Sequence, residues 1–268
     1  MVAKKNGVTL EQQLLEKYDG DVSKILAALD KLQVSKTKKK RKLSGQVVIS
    51  LKSVSKTYRI GGEKVDALRD VSLEIQQGEY VALTGPSGSG KSTLLQLIGA
   101  LDKPSDGVIT INNEDIAKLS DRKLSNFRNK TIGFVFQFFY LQPFLNLQRN
   151  LEVPGMFART KKIIRQERTV SLTKSVGLSD RLKHLPNELS GGQMQRAAIA
   201  RALLNEPKII LADEPTGNLD RENAFAIMDL FDKVREAYGT TVIVVTHDHE
   251  LAVRADREIR LRDGKIVS

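Results

Sequence analysis

Apolar residues fall into a repeating pattern of short runs and helical stripes in the last two thirds of the chain. Short runs rich in β-branched residues predict strands at Tyr80–Thr84, Ile132–Phe136, 208–212 and Thr241–Val245. Helical periodicity follows, with helices expected to begin near Lys91, Gly191, Arg221 and His249. Because strands that alternate with helices form a helix-covered, mostly parallel sheet, the pattern predicts an α/β fold.

Two further regions differ from this alternation. Earlier runs at 47–51, 71–75 and 108–111 predict an antiparallel β subdomain. Residues 138–189 show helical periodicity with little strand character, so we expect an α-helical subdomain there. Together these regions predict one domain over residues 47–268.

The first 46 residues have a different character. Residues 1–34 predict a helical extension of two short amphipathic helices, and residues 35–46 predict a linker that contains the basic run 36–42. Residues 1–45 hold 11 of the 43 basic and five of the 32 acidic residues, so they account for +6 of the net charge of +11. The main domain alone therefore gives little reason to expect a specific nucleic-acid partner.

Composition excludes several kinds of protein. The chain has 268 residues and no cysteine, so it has neither a disulfide framework nor a thiolate metal site. No window approaches the ~20 apolar residues that cross a bilayer, and no apolar run follows the first lysines as a signal peptide requires. If the protein works at a membrane, we expect another polypeptide to supply the span.

A glycine-rich loop carries the strongest chemical signal. Residues 85–92 match the pattern G-x-x-x-x-G-K-[ST] between a predicted strand and a predicted helix. Such a loop turns backbone N–H groups around phosphate oxygens; the lysine reaches the β- and γ-phosphates and the serine ligates Mg²⁺. The predicted nucleotide-binding residues here are Gly85, Pro86, Ser87, Gly88, Ser89, Gly90, Lys91, Ser92 and Thr93.

Two carboxylates end a second apolar strand. Asp213 is placed to hold Mg²⁺ through water, and Glu214 is placed to polarise the attacking water. An acidic strand end taken alone is usually a solvated sheet edge. Its combination with the phosphate loop favours the catalytic interpretation.

A second turn of small residues indicates which class of nucleotide-binding protein this is. In the run 189–196, LSGGQMQR, a serine and two glycines open a helix and form another potential anion site. Here the sequence resembles the ABC ATPases, whose LSGGQ signature is complete, and the resemblance spans residues 47–268. It implies a P-loop NTPase (RecA-like) fold, hydrolysis of ATP with Mg²⁺, and a homodimer in which Ser190, Gly191, Gly192 and Gln193 face the nucleotide of the other subunit.

The resemblance extends to single positions. It implies that Tyr58 stacks on adenine, that Gln137 senses Mg²⁺ and the lytic water, and that Asp220 lies in the loop coupling the two sites. It also implies that His247 contacts the γ-phosphate. The expected catalytic residues are therefore Lys91, Gln137, Glu214 and His247, and the expected metal residues are Ser92, Gln137 and Asp213.

Longer matches around residues 54–73, 150–154 and 213–220 resemble the lipoprotein-release and macrolide-export branch, whose ATPases drive a separate permease. Six of the chain's 14 aromatic residues fall within residues 134–144, where exposed rings would suit a partner helix. We expect Phe139 or Tyr140 to contact that permease, and we expect the subunit to lie peripherally on the inner face of the cell membrane.

Two alternatives are less favoured. A soluble ABC ATPase of translation or DNA repair would carry two motif sets or a long coiled-coil insert, whereas this chain has one set and about fifty residues between Gln137 and Ser190. A regulatory module that binds ATP without hydrolysing it would not need Glu214 and His247 intact.

Overall fold

The computed structural model describes residues 43 and 45–267, which belong to one compact unit. The N-terminal helices and most of the basic linker expected from the sequence lie outside the described residues. Elements are numbered below within the described part of the chain.

Ten strands and seven α-helices follow one another along these residues. The strands are β1 Val47–Ile60, β2 Glu63–Gln76, β3 Tyr80–Thr84, β4 Asp106–Ile111, β5 Glu114–Asp115, β6 Ile132–Phe136, β7 Ile209–Asp213, β8 Thr241–Val245, β9 Arg257–Arg262 and β10 Lys265–Ile266. The helices are α1 Lys91–Ile98, α2 Asp121–Thr131, α3 Leu147–Phe157, α4 Lys162–Ser175, α5 Gly191–Leu203, α6 Arg221–Tyr238 and α7 His249–Ala252.

The predicted sheets are both present. A six-stranded sheet has the order β10-β9-β3-β8-β7-β6 and is parallel except for its β9–β10 edge. A second, antiparallel sheet has the order β2-β1-β4-β5. The third predicted strand of the main sheet covers Ile209–Asp213, one residue later than expected, so Asp213 is its last residue.

The central strands are almost entirely apolar because both faces of the sheet are covered. In β8, Ile243 and Val245 face a core shared with the antiparallel sheet and α1. Val242 and Val244 face the other core, which contains α3, α5 and α6. Successive side chains of a strand point to opposite faces, so a continuous apolar run serves two layers at once.

The helical subdomain has no strand between residues 138 and 189, as predicted. Residues 138–146, which hold four of the clustered aromatic rings, form a loop before α3. Asn146 caps α3 by accepting a hydrogen bond from the backbone N–H of Arg149 at 2.9 Å. The loop is therefore held between a sheet strand and a capped helix.

Candidate functional site

The phosphate loop joins β3 to α1 and depends on glycine for its shape. Gly85 has φ 139°, and a Cβ built on it would lie 2.2 Å from the carbonyl oxygen of Leu261. Gly90, at φ 102°, caps the N-terminus of α1, and a Cβ there would lie 2.6 Å from the carbonyl oxygen of Ala67. Side chains at these positions would collide with backbone and strain the loop.

The loop encloses a cavity of about 470 Å³ beside the sheet. Lys91 donates from Nζ to the carbonyl oxygens of Gly85 and Pro86, each at 2.9 Å, so its ammonium group lies inside the loop. The cavity lining contains predicted residues from three segments: Gly85, Ser87, Gly88, Gly90, Lys91, Ser92, Thr93, Glu214 and His247. The phosphate loop thus meets Glu214 and His247, which follow it by more than 120 residues in the sequence, at one cavity.

The three predicted metal residues line a second, smaller cavity of about 260 Å³. Ser92, Gln137 and Asp213 face it, and Ser92 and Glu214 line both cavities. Burial raises the pKa of the Asp213 carboxyl, and the neighbouring charge of Glu214 raises it further, although a hydrogen bond with Ser92 works in the opposite direction. A divalent cation bound here would relieve this unfavourable burial of charge.

Glu214 leaves its strand in a strained conformation. Its φ is 44°, which is uncommon for a non-glycine residue, and its backbone N–H donates to Val245 at 3.0 Å. The Glu214 carboxylate lies 3.2 Å from Nδ1 of His247. The Glu214 carboxylate therefore contacts the histidine at the point where the two cavities share this residue.

Gln137 is linked to the loop that follows Glu214. Asn218 donates from Nδ2 to the Gln137 carbonyl at 3.1 Å, and the Gln137 side chain donates back to Asn218 at 3.4 Å. A Cβ built on Gly217 would lie 2.9 Å from the Gln137 amide nitrogen, so a larger residue there would displace the glutamine. Sequence reasoning did not identify Asn218 as a partner of Gln137.

The signature turn caps α5 away from these cavities. Ser190 and Gln193 form a capping box in which each side chain bonds the other's backbone N–H, at 3.3 and 2.9 Å. None of residues 190–193 belongs to the lining of the two cavities above. Asp220, also outside that lining, caps α6 through the backbone N–H of Asn223 at 2.9 Å.

Helix α5 makes two further contacts with the site that sequence reasoning missed. Gln195 is fully buried and donates from Nε2 to the carbonyl of Pro215 at 2.6 Å and to that of Phe136 at 3.4 Å. Arg201, one and a half turns later, donates to the carbonyls of Phe139 and Tyr140 at 2.8 and 2.5 Å. Neither position stands out in the sequence, because α5 also carries Gln193 and Arg196.

Tyr58 lies on β1 and lines neither cavity. Its hydroxyl donates to Asp102 at 3.0 Å and also interacts with the Thr93 side chain, which does line the larger cavity. Burial raises the pKa of the Tyr58 phenol, and the hydrogen bond to Asp102 and its charge raise it further. The phenol therefore remains a hydrogen-bond donor at physiological pH.

The site suits a magnesium nucleotide. The Ser89 hydroxyl is buried in the loop, and it has no hydrogen-bond partner among the described residues. Within the same residues, no cluster of three or more His, Cys, Asp or Glu side chains is arranged to hold a metal ion. A cation held by one carboxylate, a hydroxyl, an amide and phosphate oxygens is the arrangement typical of Mg²⁺ in nucleotide sites.

A glycine loop between strand and helix, an acidic strand end and a histidine beside the second acid define a P-loop ATPase. The family model described as "ABC transporter" matches residues 68–217 of this chain. The ABC transporter ATP-binding protein YknY of Bacillus subtilis is 51% identical over 82% of this chain and 95% of its own length. The macrolide export ATP-binding/permease protein MacB of Brucella melitensis is 45% identical over 84% of this chain, which corresponds to 35% of the MacB length.

A solved structure agrees with the sequence comparison. The dimeric, post-hydrolysis structure of the ATP-binding cassette MJ0796, bound to ADP and Pi, superposes with a TM-score of 0.76 at 46% identity. The alignment covers 82% of this chain and 97% of that one. The chain belongs to the ABC transporter family as an ATP-binding subunit. It is an ATPase that uses ATP with Mg²⁺.

In the part of the chain that the structure describes, no helix has both the length and the apolar character to cross a membrane.

Proposed function

We propose that this chain supplies one half of each of two composite ATP sites and drives a permease of the macrolide-export and lipoprotein-release type. The observation that supports this is that the signature turn is separate from the catalytic side chains. The catalytic side chains meet at two cavities that share Ser92 and Glu214, whereas the signature turn lies outside the lining of both cavities. A capped helix N-terminus with two glycines is suited to an anion. In a dimer, the anion at this turn would be the γ-phosphate of the ATP that is bound in the phosphate loop of the second copy.

Each catalytic side chain has one task in this proposal. Lys91 holds the β- and γ-phosphate oxygens, and Glu214 accepts a proton from the attacking water while His247 keeps the carboxylate oriented. Gln137 orients that water from the opposite wall. Mg²⁺, held near Ser92 and Asp213, neutralises charge on the phosphate oxygens when it is bound.

The dimer and the hydrolytic role are tested by Glu214→Gln. The amide cannot accept the proton, so we expect ATP with Mg²⁺ to shift this variant from monomer to dimer in size-exclusion chromatography, with hydrolysis reduced at least a hundredfold. A wild-type protein that hydrolyses ATP no faster than the variant would contradict the catalytic role. A variant that stays monomeric with bound ATP would contradict the composite site.

The permease is proposed to dock on a groove beside the aromatic loop. This groove has a volume of about 470 Å³, and its lining includes Phe134, Phe136 and Phe157, the last being 76% exposed. Tyr140, 62% exposed, packs edge-on against Phe136 with ring centroids 5.3 Å apart. Exposed aromatic rings around an apolar groove are typical of a surface that receives a partner helix.

We expect alanine at both Phe139 and Tyr140 to reduce co-purification of the partner permease when the two are expressed together. The matched control is Tyr238→Ala, because Tyr238 is 48% exposed and ends α6, outside the aromatic loop of residues 138–146. Equal recovery of permease with both variants would contradict this docking surface. Docking there would place the subunit on the inner face of the cell membrane.

The basic N-terminal segment is proposed to add to that attachment. Clusters of lysine and arginine bind anionic lipid at ~1 kcal/mol per residue near the surface. Removal of residues 1–44 should lower binding to vesicles containing phosphatidylserine and leave ATP hydrolysis intact. Unchanged vesicle binding would remove this part of the proposal.

A further inference from the structure

A compact polar cluster lies beside Tyr58, and none of the proposed catalytic steps uses it. Lys56 and Asp102 form an ion pair of 2.7 Å, and their side chains are 11% and 33% exposed. Lys56 Nζ also donates to the carbonyl of Lys103 at 2.7 Å. A lysine this well covered is uncommon unless its charge is paired, and here it has two oxygen partners at short distance.

The cluster fixes the orientation of the tyrosine ring. Lys56 and Tyr58 are two residues apart on β1, and the Lys56 ammonium lies over the ring, 4.9 Å from its centroid. At the rim of the ring, the phenol hydroxyl donates to the same Asp102 carboxylate at 3.0 Å. One face and the polar end of the ring are therefore both engaged, so a ligand that stacks on the ring would have to use the opposite face.

The carboxylate is held in its charged form by the same contacts. Burial by itself raises the pKa of Asp102, but hydrogen bonds from Lys56, the Lys103 backbone and Tyr58 outweigh it and hold the pKa below its ordinary value. The Lys103 N–H contributes at 2.7 Å. The cluster thus keeps the Asp102 carboxylate charged at neutral pH.

The cluster also connects the ring to the phosphate loop. Asp102 follows α1, the helix that begins at Lys91, and Thr93 on the first turn of that helix interacts with the Tyr58 hydroxyl. The position of the ring is thereby set relative to the helix that holds the phosphates. The base of a nucleotide whose phosphates are held in the loop can reach only a limited set of positions.

We propose that Lys56 and Asp102 are positioning residues for the nucleotide base: they hold the Tyr58 ring with one face covered by the lysine and the other presented to the purine. This rests on the proposed role of Tyr58 in stacking on adenine. Ordering the ring before binding removes part of the entropy cost of association, so the benefit falls on nucleotide affinity and not on the chemical step.

The test compares a nucleotide with a probe that lacks the base. In the full chain with Mg²⁺, Lys56→Met and Asp102→Asn should each raise the KM for ATP by about three- to tenfold, with kcat within about twofold of wild type. Competitive inhibition by inorganic tripolyphosphate should be unchanged, because that probe occupies the phosphate loop and cannot stack. Lys56→Arg should retain most of the wild-type KM, since it keeps the cation.

A matched control comes from another ion pair on the same subdomain. Lys118 and Asp115 lie 2.9 Å apart, away from Tyr58, so Lys118→Met should leave the KM for ATP unchanged. An unchanged KM in both Lys56→Met and Asp102→Asn would overturn the proposal. An equal loss of tripolyphosphate affinity would also overturn it, because the cluster would then support the loop and not the base.

Tyr58→Ala separates this inference from the function it rests on. If Tyr58→Ala raises the KM for ATP while the Lys56 and Asp102 variants do not, only the positioning role fails. If Tyr58→Ala itself leaves the KM unchanged, the proposed stacking role fails as well. Circular dichroism and the thermal midpoint of each variant identify any that fail to fold, and Lys56→Arg then provides the remaining comparison.

Discussion

Replacing Gln195 with leucine should slow ATP hydrolysis without unfolding the protein. Gln195 is fully buried, and its Nε2 donates at 2.6 Å to the carbonyl of Pro215, the residue after Glu214. Its second contact, to Phe136 at 3.4 Å, is too long to count for much. The perturbation therefore removes one good hydrogen bond from the turn that carries the catalytic carboxylate.

The magnitudes for stability and for catalysis differ. Leaving the Pro215 carbonyl buried without a donor costs about 1–3 kcal/mol of folding free energy. The Gln195 Oε1 is itself buried with no partner among the described residues, so leucine recovers a comparable penalty. This recovered folding free energy does not restore the hydrogen bond that holds the turn next to Glu214. If the lost hydrogen bond, worth about 0.5–1.5 kcal/mol net, is fully expressed in the transition state, kcat falls about two- to twelvefold.

The assay is steady-state hydrolysis per folded molecule, with the thermal midpoint measured on the same sample. Thr173→Val is the control, because Thr173 is equally buried but its hydroxyl bonds only carbonyls of its own helix, Thr169 and Val170, at 2.9 and 3.0 Å. We expect the control to keep its kcat. A kcat of Gln195→Leu equal to that of the wild type would refute the reasoning. A loss of rate that is fully explained by the fraction of unfolded Gln195→Leu molecules would refute it as well.

Three further outcomes are expected. Gly192→Ala, combined with Glu214→Gln, should abolish the ATP-dependent dimer in size-exclusion chromatography, since a Cβ would lie 2.4 Å from the Asn223 Oδ1; a normal dimer would contradict this. Because the folded pKa of Asp213 is raised, the magnesium-free wild type should lose stability as pH rises through that pKa; the urea midpoint of Asp213→Asn should show no such loss. Phe231→Ala, at a fully buried position, should cost about 3–5 kcal/mol in urea unfolding, and a cost under 1 kcal/mol would contradict tight packing there.

Local patterns predicted most of the main sheet. The strand Thr241–Val245 is apolar after its first residue, and the phosphate loop has a fixed length between its glycines, so each is visible without tertiary information. The first hairpin was underestimated: β1 and β2 each span 14 residues, far beyond the predicted runs at 47–51 and 71–75. Residues 63–66 of β2 are exposed and residues 55–58 of β1 are only partly buried, so backbone pairing across the Gly61–Gly62 turn sustains these ends without an apolar alternation.

The supporting contacts of the site could not be predicted in the same way. Lys56 and Asp102 meet only because β1 passes the end of α1, and neither belongs to a local pattern. Gln195 meets Pro215 because α5 packs across the edge of the sheet. The roles of Tyr58, Gln137, Asp220 and the signature residues remain predictions that the geometry is compatible with.

Helix α5 contacts three places at once: Ser190 caps its start, Gln195 bonds the turn after Glu214, and Arg201 bonds the aromatic loop. Thirteen residues make it about 20 Å long. Binding equilibria that share such an element are reciprocal: if ATP closure changes affinity for the permease helix, that helix changes affinity for ATP by the same factor. A short peptide that fills the groove would then be an effector of the subunit and would change the ATP concentration needed for pairing.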